Sequence, residues 1–124
     1  MSLHIHIAED EPRSARLLMQ LLESQLGSCL IFDWSKTVNE AINLLKTKPP
    51  NLLILDMELA GKSGFDVLDS FPNSTFPVII ASARKEHAYN CFRYGVLAYL
   101  LKPIDPAELS EAIARCERFF PFAQ

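Results

Sequence analysis

Four of the five short apolar runs in this chain of 124 residues end on a side chain able to do chemistry. The run at 3–8 leads into Glu9, Asp10 and Glu11, and that at 52–55 ends on Asp56. The run at 78–81 ends on Ser82 and that at 98–101 on Lys102, whereas the run at 29–34 leads only into Ser35 and Lys36. If these runs are parallel strands of one sheet, their carboxyl ends share a rim where ligands sit. That rim collects acids, a hydroxyl and an amine.

Carboxylates drawn together across neighbouring strands repel unless a cation stands among them. Glu9, Asp10 and Asp56 have no matching arginine, so the cluster points to Mg²⁺, a hard ion that takes oxygen ligands and keeps several waters. Glu11, beside Pro12, suits instead the positive end of the helix that follows. Asp56 on its own would read as the cap of a loop. Beside a cation and an amine it becomes a carboxylate nucleophile of the kind that forms an aspartyl phosphate, because Mg²⁺ and Lys102 would offset the charge of the phosphoryl oxygens. Ser82 could donate its hydroxyl to one of those oxygens. Lys102 precedes Pro103, and a cis peptide between them would aim the amine inward, although cis is the minority form of such bonds.

Other chemistries find less support. Gly61, Lys62 and Ser63 imitate the tail of a P-loop, but the glycine needed five residues before Gly61 is Asp56. No Gly-x-Gly-x-x-Gly follows any run, so dinucleotide binding lacks its motif. Gly61 and Gly64 are expected to shape the loop and Ser63 to cap the next helix. His4 and His6 alternate on the first run with no third ligand spaced to join them, and packing in the strand is expected. Cys29, Cys91 and Cys116 are odd in number and far apart, which argues for reduced thiols over a disulfide framework.

The elements that must position these groups are legible from periodicity. Strands are expected at Leu3–Ala8, Cys29–Trp34, Leu52–Leu55, Val78–Ala81 and Ala98–Leu101, and their continuous apolarity suits a parallel sheet buried on both faces. Between them, Ala15, Leu18, Met19 and Leu22 recur at helical spacing, as do Val38, Ala41, Ile42 and Leu45, and Leu109, Ala112, Ile113 and Cys116. Thr37 with Glu40 makes a capping box, and Asp105, Pro106 and Glu108 supply a cap, a first-turn proline and an N3 acid. A shorter helix is expected after Ser63, and another over Lys85–Arg93 with Ala88, Cys91 and Phe92 inward. Phe32, Trp34, Phe119 and Phe120 read as core or edge packing. Five strands alternating with helices predict an α/β fold with a doubly wound parallel sheet.

Composition is consistent with one soluble domain: 49% of residues are hydrophobic, 22% are charged and the net charge is −3. The scattered Lys and Arg give no basic stripe, so DNA contact is expected only through a separate output domain. No run approaches the roughly 18 apolar residues of a membrane span and no signal peptide is evident, so the chain is expected to be cytoplasmic. No internal repeat or linker divides it. The leading "MSL" and the apolar finish "RFFPFAQ" suggest a piece of a longer protein, an expectation that fails if the native reading frame stops at Gln124.

The motifs "IAEDEP", "LLILDMELAGKSGFD", "PVIIASA" and "YLLKPI" resemble, in order and position, the response-regulator receiver domain of two-component signalling over nearly the whole chain. The resemblance implies the flavodoxin-like strand order 2-1-3-4-5 and Asp56 as phosphoacceptor. It implies Asp10 as a direct Mg²⁺ ligand, Glu9 as a ligand through water and Glu58 as one through its backbone carbonyl. Ser82 and Tyr99 are similar to the family's switch pair, Lys102 to its lysine. Three positions depart from the usual pattern: Glu9 stands where Asp is commoner, Ser82 for the frequent Thr, and Ala60 where the loop generally carries proline. "EHAYNCFRYGVLAYLLKPI" looks most like receivers joined to LytTR-type DNA-binding domains.

The resemblance further implies phosphoryl transfer from a sensor histidine kinase, or a small acyl phosphate, to Asp56. Ser82 would then move toward the phosphoryl group and Tyr99 turn inward, repacking the fourth helix, fifth strand and fifth helix, whose outer face would serve dimerisation or output docking. Such a domain catalyses only its own phosphorylation and dephosphorylation, so the chain is not expected to be an enzyme acting on other substrates. Two alternatives stand beside it. A small phosphohydrolase turning over an aspartyl phosphate would need Asp-x-Asp, where this chain has Glu58 at the second position and no cap domain. A pseudo-receiver that only binds a partner would lack an acid or the lysine, and none is missing.

Overall fold

The computed structural model describes residues 2–122. Expectations about the two chain ends rest in part on residues 1, 123 and 124, which lie outside the described residues. Five strands, β1 (Leu3–Ala8), β2 (Leu30–Ser35), β3 (Leu52–Asp56), β4 (Val78–Ser82) and β5 (Ala98–Leu101), form one parallel sheet in the order β2-β1-β3-β4-β5. Helices α1 (Pro12–Leu26), α2 (Val38–Thr47), α3 (Phe65–Asp69), α4 (Ala88–Phe92) and α5 (Pro106–Phe119) alternate with them. The doubly wound sheet and its order match the expected flavodoxin-like architecture.

The central strand β3 is buried along its whole length, so its alternate side chains feed two cores. Ile54 joins Ile5, Ile7 and Ile79 against Ala15, Leu18 and Leu22 of α1 and Leu109 and Ile113 of α5. Leu53 and Leu55 join Ile80 against Ala41 and Leu45 of α2, Val67 of α3 and Cys91 of α4. Each such aliphatic side chain contributes about 1.5–3 kcal/mol by leaving water, which fixes strand register and with it the height of every rim residue.

Helix starts follow their caps. Thr37 Oγ1 accepts the N–H of Glu40 at 3.1 Å, while the Glu40 carboxylate accepts the N–H of Lys36 at 2.8 Å, one residue further out than a capping box. The Asp105 carboxylate accepts the N–H of Ala107 at 3.0 Å ahead of Pro106.

Three expectations are corrected. Strand β2 lies one residue later than Cys29–Trp34: Cys29 contributes only a carbonyl to Leu3, and Ser35 ends the strand by accepting the N–H of Glu9 at 2.9 Å. The helix expected over Lys85–Arg93 is regular only at Ala88–Phe92. Tyr94 and Gly95 bond back three residues to Cys91 and Phe92, which ends the helix, and with Cys91 fully buried the next residue, Phe92, lies about 100° round the helix and is 47% exposed. Phe119, at the last turn of α5, is 65% exposed and packs in no core.

His4 and His6 sit on the α2 side of the sheet, each bonded across to β2. His4 Nε2 lies 2.7 Å from Asp33 Oδ2, and the completely buried His6 places Nε2 2.8 Å from Ser35 Oγ. Burial lowers the His6 pKa to about 4, with Asp33 opposing and His4 assisting the shift. The folded state thus holds the neutral imidazole, while the unfolded chain takes up a proton below about 6.5. Stability is therefore full above the unfolded value and declines as pH falls toward the folded one, by roughly 3 kcal/mol in all. Denaturant melts of the wild type and of His6→Gln across that window check this, the variant being expected to lose the histidine's share of the slope. Among the described residues no helix is long and apolar enough to cross a membrane.

Candidate functional site

The acidic cleft is assembled by strand adjacency. β1 pairs directly with β3, with Ala8 opposite Leu55, so Glu9 and Asp10 emerge beside Asp56. β4 pairs with β3 and β5 with β4, Asp56 facing Ala81 and Ser82 facing Leu101, which brings Ser82 and Lys102 to the same end. Carboxylate oxygens of Glu9, Asp10 and Asp56 all lie within 4.8 Å of one another. Lys102 Nζ donates to Asp56 Oδ2 at 2.7 Å and to Glu9 Oε1. The peptide between Lys102 and Pro103 is cis.

Each carboxylate is also held by a backbone N–H. Glu9 Oε2 accepts from Glu11 at 3.1 Å, Asp56 Oδ1 from Glu58 at 3.0 Å, and Asp10 Oδ2 from Ala60 at 3.0 Å. Burial raises the Glu9 pKa, and the Lys102 and Glu11 hydrogen bonds offset only part of that rise. Burial pulls the Lys102 amine down, but its bonds to Asp56 and Glu9 outweigh this and leave it raised, firmly charged at neutral pH. The Lys102 ammonium is thus bonded to two of the three clustered carboxyl groups, in a cleft of about 550 Å³ that also includes Glu58, Lys62 and His87 among its walls. The cluster offers oxygen donors and surplus negative charge, which fits a hard divalent cation.

The loop after Asp56 folds into a two-residue antiparallel hairpin, Glu58–Leu59 with Lys62–Ser63. Periodicity gave no hint of it. Ala60 and Gly61 at its tip have φ of 50° and 82°. Proline, whose ring fixes φ at about −65°, does not fit the Ala60 conformation. The loop thus holds a conformation closed to proline at this position, and that conformation delivers the Ala60 N–H to Asp10. Ser63 Oγ accepts the N–H of Phe65 at 3.1 Å, as expected of a capping serine, although Gly64 occupies the cap position itself.

Gly64 is required by space. A Cβ there would meet the Asp56 carbonyl oxygen at 2.7 Å and the Met57 Cα at 2.9 Å, and the Gly64 N–H donates to the Met57 carbonyl at 2.7 Å. Gly64→Ala is expected to destabilise by about 1–3 kcal/mol through overpacking and to shift Asp56. Gly61→Ala has open space around its Cβ and costs about 1 kcal/mol through φ alone. Paired chemical melts of the two variants separate these causes.

Ser82 and Tyr99 converge on one residue. The completely buried Ser82 accepts the Arg84 N–H on Oγ at 3.1 Å, and the Tyr99 hydroxyl donates to the Arg84 carbonyl. Burial pushes the Tyr99 phenol up, so it remains a donor at neutral pH. Arg84 also places Nε 3.7 Å from the Glu58 carboxylate at the mouth of the cleft, an exposed pair. Glu9, Asp10, Asp56, Glu58 and Lys102 line the cleft, with Glu58 exposed and outside the three-carboxylate cluster, whereas Ser82, buried at the end of β4, and Tyr99 on β5 are not among its walls. The contributions of residues 84, 87 and 60 carried no sequence signal, two of them acting through backbone atoms.

A doubly wound sheet with paired acids, a buried hydroxyl and a lysine at its carboxyl edge defines a flavodoxin-like module with an acidic cleft at its switch point. The response regulator receiver domain model matches residues 5–114, and the chain belongs to that family, the receivers of two-component signalling. It is 26% identical over 118 residues, 94% of this chain and 48% of the relative, to the positive alginate biosynthesis regulatory protein of Pseudomonas aeruginosa. It is 28% identical over 118 residues, with the same coverage of 94% and 48%, to the sensory transduction protein LytT of Enterococcus faecalis. The chain spans about half the length of these curated relatives. Among solved structures, it is similar to a DNA-binding response regulator of the LuxR family from Staphylococcus aureus, with a TM-score of 0.78, 27% identity and coverage of 92% and 98%.

Proposed function

We propose that this receiver accepts a phosphoryl group on Asp56 from a sensor histidine kinase or a small acyl phosphate, and that the modification switches its α4-β5-α5 face. The observation that carries this is Lys102 Nζ at 2.7 Å from Asp56 Oδ2 within a cluster of three carboxylates. Asp10, Asp56 and Glu9, with the Glu58 carbonyl, are the groups that would hold Mg²⁺. When bound, Mg²⁺ supplies positive charge that offsets the incoming phosphoryl oxygens.

An ionised Asp56 oxygen attacks phosphorus, the bond from phosphorus to the donor breaks, and the donor leaves with its electron pair. Lys102 gives its ammonium to the phosphoryl oxygens. The product carries roughly −1.5 to −2 of charge, by analogy with other phosphorylated side chains. Ser82, drawn to donate to a phosphoryl oxygen, loosens its hold on the Arg84 N–H. The Arg84 carbonyl is the partner of the Tyr99 hydroxyl, so the same shift reaches Tyr99. Tyr89, Phe92 and Leu101, with exposures of 77%, 47% and 43%, give α4 and β5 an apolar outer surface suited to a second copy or an output domain. DNA contact falls to an output domain outside this chain, a reading supported by relatives about twice as long.

The test is incubation with acetyl phosphate and Mg²⁺ followed by intact-mass measurement. One labile phosphoryl group per chain is expected, and none in EDTA. Phosphate released over many turnovers from phosphate monoesters, which are not acyl phosphates, would identify a phosphohydrolase instead, and no uptake with metal present would identify a partner-binding pseudo-receiver.

A further inference from the structure

The sheet's outer strand β2 contributes no acid to the cleft, yet it grips the turn that does. Trp34, on β2, donates its indole Nε1–H to the Glu9 carbonyl at 2.7 Å, and the Glu9 N–H donates to the Ser35 carbonyl at 2.9 Å. Glu9 lies one residue beyond the end of β1, where the ladder with β2 would otherwise stop. Both polar groups of its backbone are thereby tied to β2. Because the Glu9 carbonyl belongs to the peptide that links it to Asp10, rotating that group would swing both carboxylates.

We propose that Trp34 is a positioning residue for the cation-binding turn, its indole N–H fixing the peptide from which Glu9 and Asp10 present their carboxylates. The indole is itself held on two sides. It packs, half-buried, against the core between the sheet and α1, and Lys36 Nζ stands 4.7 Å from the ring centroid. A cation over the ring is attracted to its π face and draws electron density from it, which strengthens the N–H as a donor. Phenylalanine at this position would retain most of the packing and lose the bond. Groups that orient metal ligands in this indirect way typically change metal affinity about 10–100-fold when removed. The inference rests on the proposed role of Glu9 and Asp10 toward Mg²⁺.

The chain has one tryptophan, so its fluorescence reports on this turn alone. The experiment titrates the apo protein with MgCl₂, following fluorescence and, independently, heat by calorimetry. Two variants are then measured by calorimetry: Trp34→Phe, and the protein with benzothienylalanine at position 34, a bicyclic ring of nearly the same shape with sulfur in place of N–H. Circular dichroism verifies that each is folded. A saturable fluorescence change is expected in the wild type, and Mg²⁺ dissociation constants about tenfold weaker in both variants. Wild-type affinity in the benzothienylalanine protein would assign any effect of Trp34→Phe to packing and overturn the inference. Wild-type affinity in both variants would overturn it equally. Absence of Mg²⁺ binding by the wild type would instead bring down the reading of the acidic turn as a cation site, and the inference with it.

Discussion

Asp56→Asn is expected to abolish phosphoryl uptake from acetyl phosphate while leaving the fold intact. The side chains have nearly the same shape, and the amide oxygen can still accept the Glu58 N–H that Asp56 Oδ1 accepts at 3.0 Å. Lys102 keeps its bond to Glu9. Removing one of three carboxylates relieves repulsion in the cluster but gives up the Asp56–Lys102 ion pair, so the two effects oppose and the melting temperature without metal should change little. An amide lacks the anionic oxygen that attacks phosphorus, and no acyl phosphate can form. Intact mass should therefore show the unmodified chain throughout a time course that converts the wild type. Equal labelling of the variant would place the acceptor elsewhere, with Asp10 the first position to map.

The site was legible because its chemistry is carried by side chains at the ends of apolar runs. "NLLILD" predicts a strand buried on both faces, and an acid at its end must project from the rim of the sheet. The same logic finds Glu9, Asp10, Ser82 and Lys102, since parallel strands all point their carboxyl ends the same way. What stayed hidden works through the backbone or across elements. The Ala60 N–H on Asp10 depends on a φ of 50°, which no residue type at that position announces. Arg84 matters to Ser82 and Tyr99 through its peptide groups, and those look alike in every residue. The position of Trp34 was visible, but an aromatic on an edge strand reads as packing until its indole N–H is seen to reach the Glu9 carbonyl. α4 was overextended because its apolar positions fit a helical period, while three-residue bonds from Tyr94 and Gly95 end the regular helix early and only Cys91 of its apolar positions is fully buried.

Lys102→Met should separate the two tasks of the lysine, catalysis and charge balance. Methionine fills a similar volume without the ammonium, so the change isolates charge. Removing one preorganised donor to a developing anionic group typically lowers a rate about 10²–10³-fold, and that loss is expected in phosphoryl uptake from acetyl phosphate. The same change strips the shared partner from Glu9 and Asp56, whose side chains are only 7% and 10% exposed. Three carboxylates are then left with no internal cation, and breaking a buried pair from one side is strongly destabilising. The variant should melt well below wild type in EDTA. Added Mg²⁺ should raise its melting temperature by more than it raises that of the wild type, because the ion replaces charge that the wild type already has. Rates from intact-mass time courses and melts with and without Mg²⁺ measure both effects on one protein. A slowed reaction with an unchanged metal response would mean that Lys102 meets the phosphoryl group but does not balance the cluster. An unchanged rate would remove it from the chemistry, leaving its 2.7 Å contact with Asp56 as a structural ion pair.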